Sequence, residues 1–132
     1  LFVRNCHIDM MMQLKIPIDI VPQGRPRFYN GVAVDPPKSR QFKYVLALIV
    51  KPLAGTPMSG EVKVKLDIYR HCKSVTSRRY GDIDNLAKAV LDALNGICWQ
   101  DDSQISELHI TKNLADEPRI EIEIEEIKND YT

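Results

Sequence analysis

The sequence predicts an α/β domain: a small mixed β-sheet of about four main strands, two helices and an N-terminal hairpin. Three observations point there. Apolar and polar residues alternate in several short stretches, as half-buried strands require. Two longer stretches space their apolar residues by three and four, as amphipathic helices do. Asn30-Gly31 between short apolar segments marks a tight hairpin turn. The 132 residues are 44% hydrophobic and 27% charged, a composition suited to one globular domain. No apolar run approaches the roughly 18 residues of a membrane-spanning helix.

The elements follow in order. Residues 1–12 show no charged-then-apolar leader pattern and read as an irregular arm ahead of a single domain, 13–132. Leu14, Ile16, Ile18 and Ile20 alternate with Lys15, Pro17 and Asp19, a strand expected at a sheet edge or paired on one side at Pro17, which lacks a donor. The hairpin occupies Arg25 to Val34. After Pro36-Pro37, the spacing of Phe42, Val45, Leu46, Ile49 and Leu53 predicts a helix from Lys38 that Pro52 limits near Lys51. Val62, Val64, Leu66 and Ile68 form the clearest strand. Arg70 to Gly81 is polar and basic and reads as a mobile loop. A second helix covers about Asp84 to Gly96, its apolar face being Leu86, Ala89, Val90, Ala93 and Leu94. Two strands close the domain. One lies near Ser106–Lys112 with Leu108 and Ile110 inward; the other runs from Arg119 to Ile127 with Ile120, Ile122 and Ile124 inward.

The formal net charge is zero, yet the charges are segregated. From Arg25 to Lys88 there are thirteen Lys/Arg against five Asp/Glu; from Asp92 to Asp130 there are three against eleven. Such asymmetry suits a polyanionic partner met by one part of the surface, and equally suits a solvated mixture of charges. Cys6, Cys72 and Cys98 are odd in number and lack paired spacing, which favours reduced thiols and a cytoplasmic protein. His7, His71 and His109 show no ligand spacing, so zinc is not expected.

The chemistry concentrates in Gly81-Asp82-Ile83-Asp84-Asn85-Leu86-Ala87-Lys88 and in Trp99-Gln100-Asp101-Asp102. Asp82 and Asp84 flank one residue at a strand-to-helix junction, where their side chains can converge. Hard divalent cations take carboxylate oxygens together with water and phosphate oxygens, and gathered acids repel one another unless a cation offsets them. At 100° per residue Asp84, Lys88 and Asp92 share the helix face opposite the apolar one. Other roles are open to these residues: either aspartate can cap the helix, and Asp84–Lys88 is a favourable pair contributing about 0.2–0.5 kcal/mol. Asp92 reads as a solvated residue or a partner for Lys88, and Trp99 as a core anchor. The residues alone leave a metal-bound acidic site and a capped, solvated helix both open.

Asp82-Ile83-Asp84-Asn85-Leu86-Ala87-Lys88-Ala89, then Asp92-Ala93-Leu94 and Trp99-Gln100-Asp101-Asp102, resemble the RusA family of Holliday junction resolvases, strongly from Gly81 to Asp102 and loosely to the closing strand. The resemblance implies that 13–132 is a RusA-like nuclease domain. It implies a homodimeric, Mg²⁺-dependent (or Mn²⁺-dependent) endonuclease that resolves four-way DNA junctions by paired nicks in recombination and repair, of a kind common in phages and prophages. Its catalytic, metal-holding carboxylates would be Asp82, Asp84 and Asp102, and its essential lysine Lys88, with Asn85 and Asp101 supporting. Members can carry arginine just before the first aspartate; here Tyr80 and Gly81 intervene after Arg79. Arg25, Arg27, Lys38, Arg40, Lys43, Arg70, Lys73, Arg78 and Arg79 are the candidates for holding the DNA backbone. A metal-dependent nuclease for other branched DNA and a non-catalytic DNA-binding protein are the rival readings.

Overall fold

The computed structural model describes residues 4–131 and, among side chains, those of 10–128. Its elements are β1 (Arg4–Ile16), β2 (Arg27–Tyr29), β3 (Val32–Val34), α1 (Pro37–Ala54), β4 (Glu61–Arg70), α2 (Ile83–Leu94), a 3-10 turn (Asp102–Gln104), β5 (Ile105–Leu114) and β6 (Arg119–Tyr131). The main sheet has the order β1-β6-β4-β5, and β2-β3 is a separate hairpin. β6 runs antiparallel to β1 and β4, while β4 and β5 are parallel. The mixed sheet, the two helices and the hairpin are those the residue pattern predicts. Among the described residues no helix is long and apolar enough to cross a membrane.

The alternation in β4 and β6 sets the layers. Val62, Val64, Leu66 and Ile68 of β4 and Ile120, Ile122 and Ile124 of β6 are buried in one core with Phe42, Leu46 and Val50 of α1 and Leu86, Val90 and Leu94 of α2. Successive side chains of a strand point to opposite faces, so Lys63, Lys65, Glu121, Glu123 and Glu125 line the other face of the sheet. Ion pairs cross it, Lys63–Glu107 at 3.3 Å and Lys15–Glu121 at 3.6 Å. A parallel pair needs a crossover, and α2 supplies it. Its 12 residues carry the chain back about 18 Å along the sheet, from the carboxyl end of β4 to the start of β5.

Several expectations are corrected. Residues 4–12, expected to be irregular, belong to β1, which pairs with β6 from Arg4 opposite Tyr131 to Ile16 opposite Ile120, with a bulge between Ile8 and Met10. Pairing along the sheet edge orders this stretch, and an edge strand that leaves Met10 and Met11 exposed has no need of strict alternation. The side chains of Cys6 and His7 lie outside the described residues; Cys72 and Cys98 are free thiols, and burial pushes that of Cys98 up to about 11. Toward Ile20 the strand stops early: after Ile16 the chain is irregular, though Ile16 and Ile20 both stay buried. Helix α1 continues past Lys51 to Ala54 with Pro52 inside it. Pro52 lacks the N–H that would bond the Leu48 carbonyl, and Leu48 lies on the exposed side of α1, where water can take that bond. The buried stripe of α1 is Ser39, Phe42, Leu46, Val50 and Ala54, whereas Val45 and Leu53 are exposed. Leu108 shares the core face with its partner Val64, as expected, yet is 39% exposed, because β5 forms an edge of the sheet.

The segment between β4 and α2 is anchored at its far end. Tyr80 is fully buried; its hydroxyl accepts from the Asn113 amide at 3.0 Å and lies 2.8 Å from the carbonyls of Ile68 and Asn113, either of which can take its proton. Arg70 donates to the carbonyls of Arg79 (3.0 Å) and Tyr80 (2.7 Å) and pairs with Asp19 at 2.9 Å. The phenol is thus a clamp between β4 and β5 on which the entry to α2 rests. Tyr80→Phe leaves a backbone amide without its partner, so we expect a loss of about 1–3 kcal/mol. Calorimetry should find Tm lower by roughly 4–10 °C.

Candidate active site

The entry to α2 is shaped by Gly81. Its φ is +101° and a Cβ there would lie 2.5 Å from Pro22 Cγ, so both conformation and space demand glycine. Lys112 holds the Gly81 carbonyl at 2.9 Å. The next residue, Asp82, is the helix N-cap in extended conformation (φ −77°, ψ 144°); its carbonyl accepts the first helical bond from Leu86, but its side chain makes no capping bond. Among the described residues, Asp84 Oδ1 accepts only from the adjacent Asn85 amide at 2.9 Å. Capping therefore does not account for this pair. Both side chains are exposed beside the partial positive charge of the helix start, which favours anions. Asn85 serves as backbone support: its carbonyl accepts from the Gln23 amide at 3.0 Å, fastening the segment before the hairpin to this end of α2.

Lys88 stands one turn along with its side chain 59% exposed and 3.8 Å from Asp92. Asp92 is engaged more closely from α1. Lys43, whose side chain is 16% exposed, reaches Asp92 at 3.0 Å and Asp35 at 2.8 Å. Gln23 adds a bond to Asp35 at 3.0 Å; its own Oε1 is a buried acceptor without a partner among the described residues. The bond from Lys43 lowers the Asp35 pKa. Burial pulls the Lys43 pKa down, but the bonds to Asp35 and Asp92 outweigh it and the net shift is upward. Because Asp92 is occupied by Lys43, the Lys88 ammonium remains loosely held on the face it shares with Asp84.

Asp102 sits elsewhere. Asp101 caps the 3-10 turn, accepting from the Ser103 amide at 2.9 Å while Gln104 Oε1 accepts from the Asp101 amide at 2.8 Å; the bonds from Ser103 lower the Asp101 pKa. Gln104 also donates to the carbonyls of Met58 and Gly60, each at 2.8 Å. The buried indole of Trp99, a core anchor as expected, donates to Asp102 Oδ1 at 2.7 Å and leaves the other oxygen open. Met58 and Gly60 precede β4, whereas Gly81 and Tyr80 lie against Lys112 and Asn113 near the end of β5. Asp102 and the pair Asp82/Asp84 therefore occupy opposite ends of the β4–α2–β5 unit, about 18 Å apart by the length of α2. Among the described residues, no three His, Cys, Asp or Glu side chains gather at one point. The chain unites Asp82, Asp84, Asn85 and Lys88 and holds Asp101 and Asp102 apart from them.

The basic candidates separate into two kinds. Arg70 and Lys43 are occupied in the ion pairs above. Arg25 and Arg27 at the hairpin, Lys38 and Arg40 at the start of α1, and Lys73, Arg78 and Arg79 after β4 are exposed. Gln23–Asn85, Gly24–Ser39 (3.0 Å) and Lys112–Gly81 bring these three segments around the N-terminus of α2. Residue spacing alone did not single out Gln23, Asp35, Lys43, Tyr80 or Gln104 as supports. Only Gln104 had a local cue, since Asp101-x-x-Gln104 matches a capping box.

Lys43→Met should lower stability by about 1–2 kcal/mol. The folded pKa of Asp35 is depressed, so its contribution is complete above the unfolded value and fades as pH falls through the folded one. The difference in Tm between parent and variant should accordingly shrink on acidification from about pH 5. A difference that is constant across that range would assign the stabilisation to packing instead.

The model of the family described as endodeoxyribonuclease RusA matches residues 17–125. The chain is also 35% identical over 128 residues to "Uncharacterized protein YqaN" of Bacillus subtilis (strain 168), covering 81% of this chain and 90% of that protein. Two exposed carboxylates and a lysine at a helix start ringed by exposed cations suit phosphodiester chemistry, and the family match spans that whole region: the chain belongs to the RusA endodeoxyribonuclease family.

Proposed function

We propose that the protein is a divalent-metal-dependent endonuclease that resolves four-way DNA junctions by paired nicks. It acts as a two-fold dimer in which Asp82, Asp84 and Lys88 of one protomer meet Asp102 of the other. The observation that carries this reading is the placement of two uncommitted carboxylates at the N-terminus of α2, with the third candidate at the far end of the same crossover. A cation such as Mg²⁺ takes one or two carboxylates plus water and phosphate oxygens, so the Asp82/Asp84 pair fits as the larger part of a site. The free oxygen of Asp102, oriented by Trp99, would complete it.

Strand β5 supplies a route to that meeting. Ser106, Glu107, Leu108 and His109 are exposed on it, and β5 has β4 on one side and no strand partner on the other among the described residues. A long unpaired edge is a template for another strand. Antiparallel pairing of two β5 strands about a two-fold axis is self-complementary and sets Ile105 of one copy near Leu114 of the next. It thereby carries the partner's Asp102 toward Asp82 and Asp84. Two such sites match the two equivalent strands of a four-way junction.

Asp82 and Asp84, helped by the partner's Asp102, would hold a divalent cation, which when bound would lower the pKa of water and polarise the phosphoryl oxygens. Lys88 donates to the phosphate as negative charge grows on it. Arg78, Arg79 and Lys73 hold the backbone on one side of the helix start, with Arg25, Arg27, Lys38 and Arg40 on the other.

Mixing tests the shared site directly. Asp84→Asn and Asp102→Asn should each retain junction binding and lose Mg²⁺-dependent nicking. Mixed and allowed to exchange subunits, they should recover nicking of one strand, because one site then has every carboxylate intact. No recovery in proven heterodimers would return Asp102 to a role within its own protomer, and undiminished nicking by Asp84→Asn would end the assignment. Comparing junction, flap and duplex cleavage identifies the substrate. Arg78→Ala with Arg79→Ala should weaken junction binding and flatten the plot of log affinity against log salt by up to about 2, read by fluorescence anisotropy.

A further inference from the structure

We infer that the β2–β3 hairpin is a wedge that stacks on the bases flanking the crossover of branched DNA, with one aromatic on each face of the blade. The inference rests on the nuclease reading above and adds a base-contacting element to it. Phe28 is 73% exposed and Tyr29 59%, although aromatic side chains gain much by burial. The register sets Phe28 opposite Ala33 and Tyr29 opposite Val32. Opposed residues share a face and neighbours alternate. Phe28 therefore stands on one face over small Ala33, while Tyr29 and Val32 stand on the other.

The blade is both shaped and rooted. Asn30 and Gly31 have φ of 51° and 79°, the left-handed pair of a type I′ turn, whose twist suits a two-residue hairpin. At its base the Gln23 amide donates to the Asn85 carbonyl and the Gly24 amide to Ser39 Oγ, each at 3.0 Å. On the other strand's exit, Asp35 is held by Gln23 at 3.0 Å and by Lys43 at 2.8 Å. Asn85 directly follows Asp84, so the hairpin rises beside the acidic pair.

The chemistry of the face selects its occupant. From Arg25 to Val34 the charged residues are Arg25 and Arg27, both exposed. Positive charge beside bare aromatic rings suits an anionic polymer with flat π faces, and stacking of bases on aromatics is tolerant of sequence. Inside a continuous duplex those faces are covered, and entry costs the stacking of a base step. At a crossover the stack is already interrupted, so the same blade enters at lower cost. The hairpin thereby favours branch points over plain duplex.

The test uses the full chain and a four-way junction of fixed crossover, with 2-aminopurine in the base pair beside it, in EDTA so that the strands stay whole. Wild-type protein should raise the emission severalfold, and the same label placed mid-arm should stay unchanged. Phe28→Ala with Tyr29→Ala should keep its Tm, lose the rise and bind the junction about tenfold more weakly. Phe28→Tyr should retain the rise. An undiminished rise in the double variant overturns the wedge, as does a wild-type complex that binds and nicks junctions without any rise; both leave the nuclease reading standing. A wild-type chain that neither binds nor nicks junctions overturns both.

Discussion

Strands β4 and β5 lie side by side and point the same way, so the chain must return along the sheet between them, and α2 is the return path. That constraint fixes the geography of every acidic candidate. The loop leaving β4 and the start of α2 share one end of the unit, which carries Asp82 and Asp84. The turn entering β5 shares the other, which carries Asp102. The hairpin, the start of α1 and the basic loop all reach the end that carries Asp82 and Asp84. Each end has its own fastening: Tyr80, Lys112 and Gly81 at one, Trp99 and the Asp101–Gln104 cap at the other.

Charge is sorted by the same architecture. Some cations are structural members: Lys43 links α1 to α2, and Arg70 braces the loop after β4 against Asp19. The cations of the hairpin, of the start of α1 and of the basic loop remain available to an anion. Part of the acidic surplus of the C-terminal half lies on β6, where Glu121, Glu123 and Glu125 occupy the sheet face away from the helices. Zero net charge thus conceals a molecule with distinct electrostatic regions, and a polyanion approaching it meets one end very differently from the open sheet face.

Much of this was legible in the residues. Strict alternation identified β4 and β6, Asn30-Gly31 identified the hairpin, and the apolar face of α2 emerged from its spacing. These are local patterns, and the local physics that makes them is the physics that folds them. The rest depends on partners distant in sequence. β1 extends back to Arg4 because β6 pairs with it, which its own polar stretch does not advertise. Leu108 stays partly uncovered on the core face because β5 falls at the edge of the strand order. Lys43 belongs with Asp92, 49 positions away, and no spacing rule reveals that pair. The motif around Asp82 marks the candidate residues but not the separation of Asp102 from them, which follows from the crossover alone.

The chain contains a single tryptophan, and its indole N–H is bonded to Asp102. Emission excited at wavelengths beyond tyrosine absorption therefore arises from a chromophore in direct contact with one candidate ligand. Whatever pulls on that carboxylate, be it an ion, a neighbouring subunit or a nucleic acid strand, alters the polarity around the excited ring. The molecule thus carries an intrinsic optical probe of its own assembly, readable without any label.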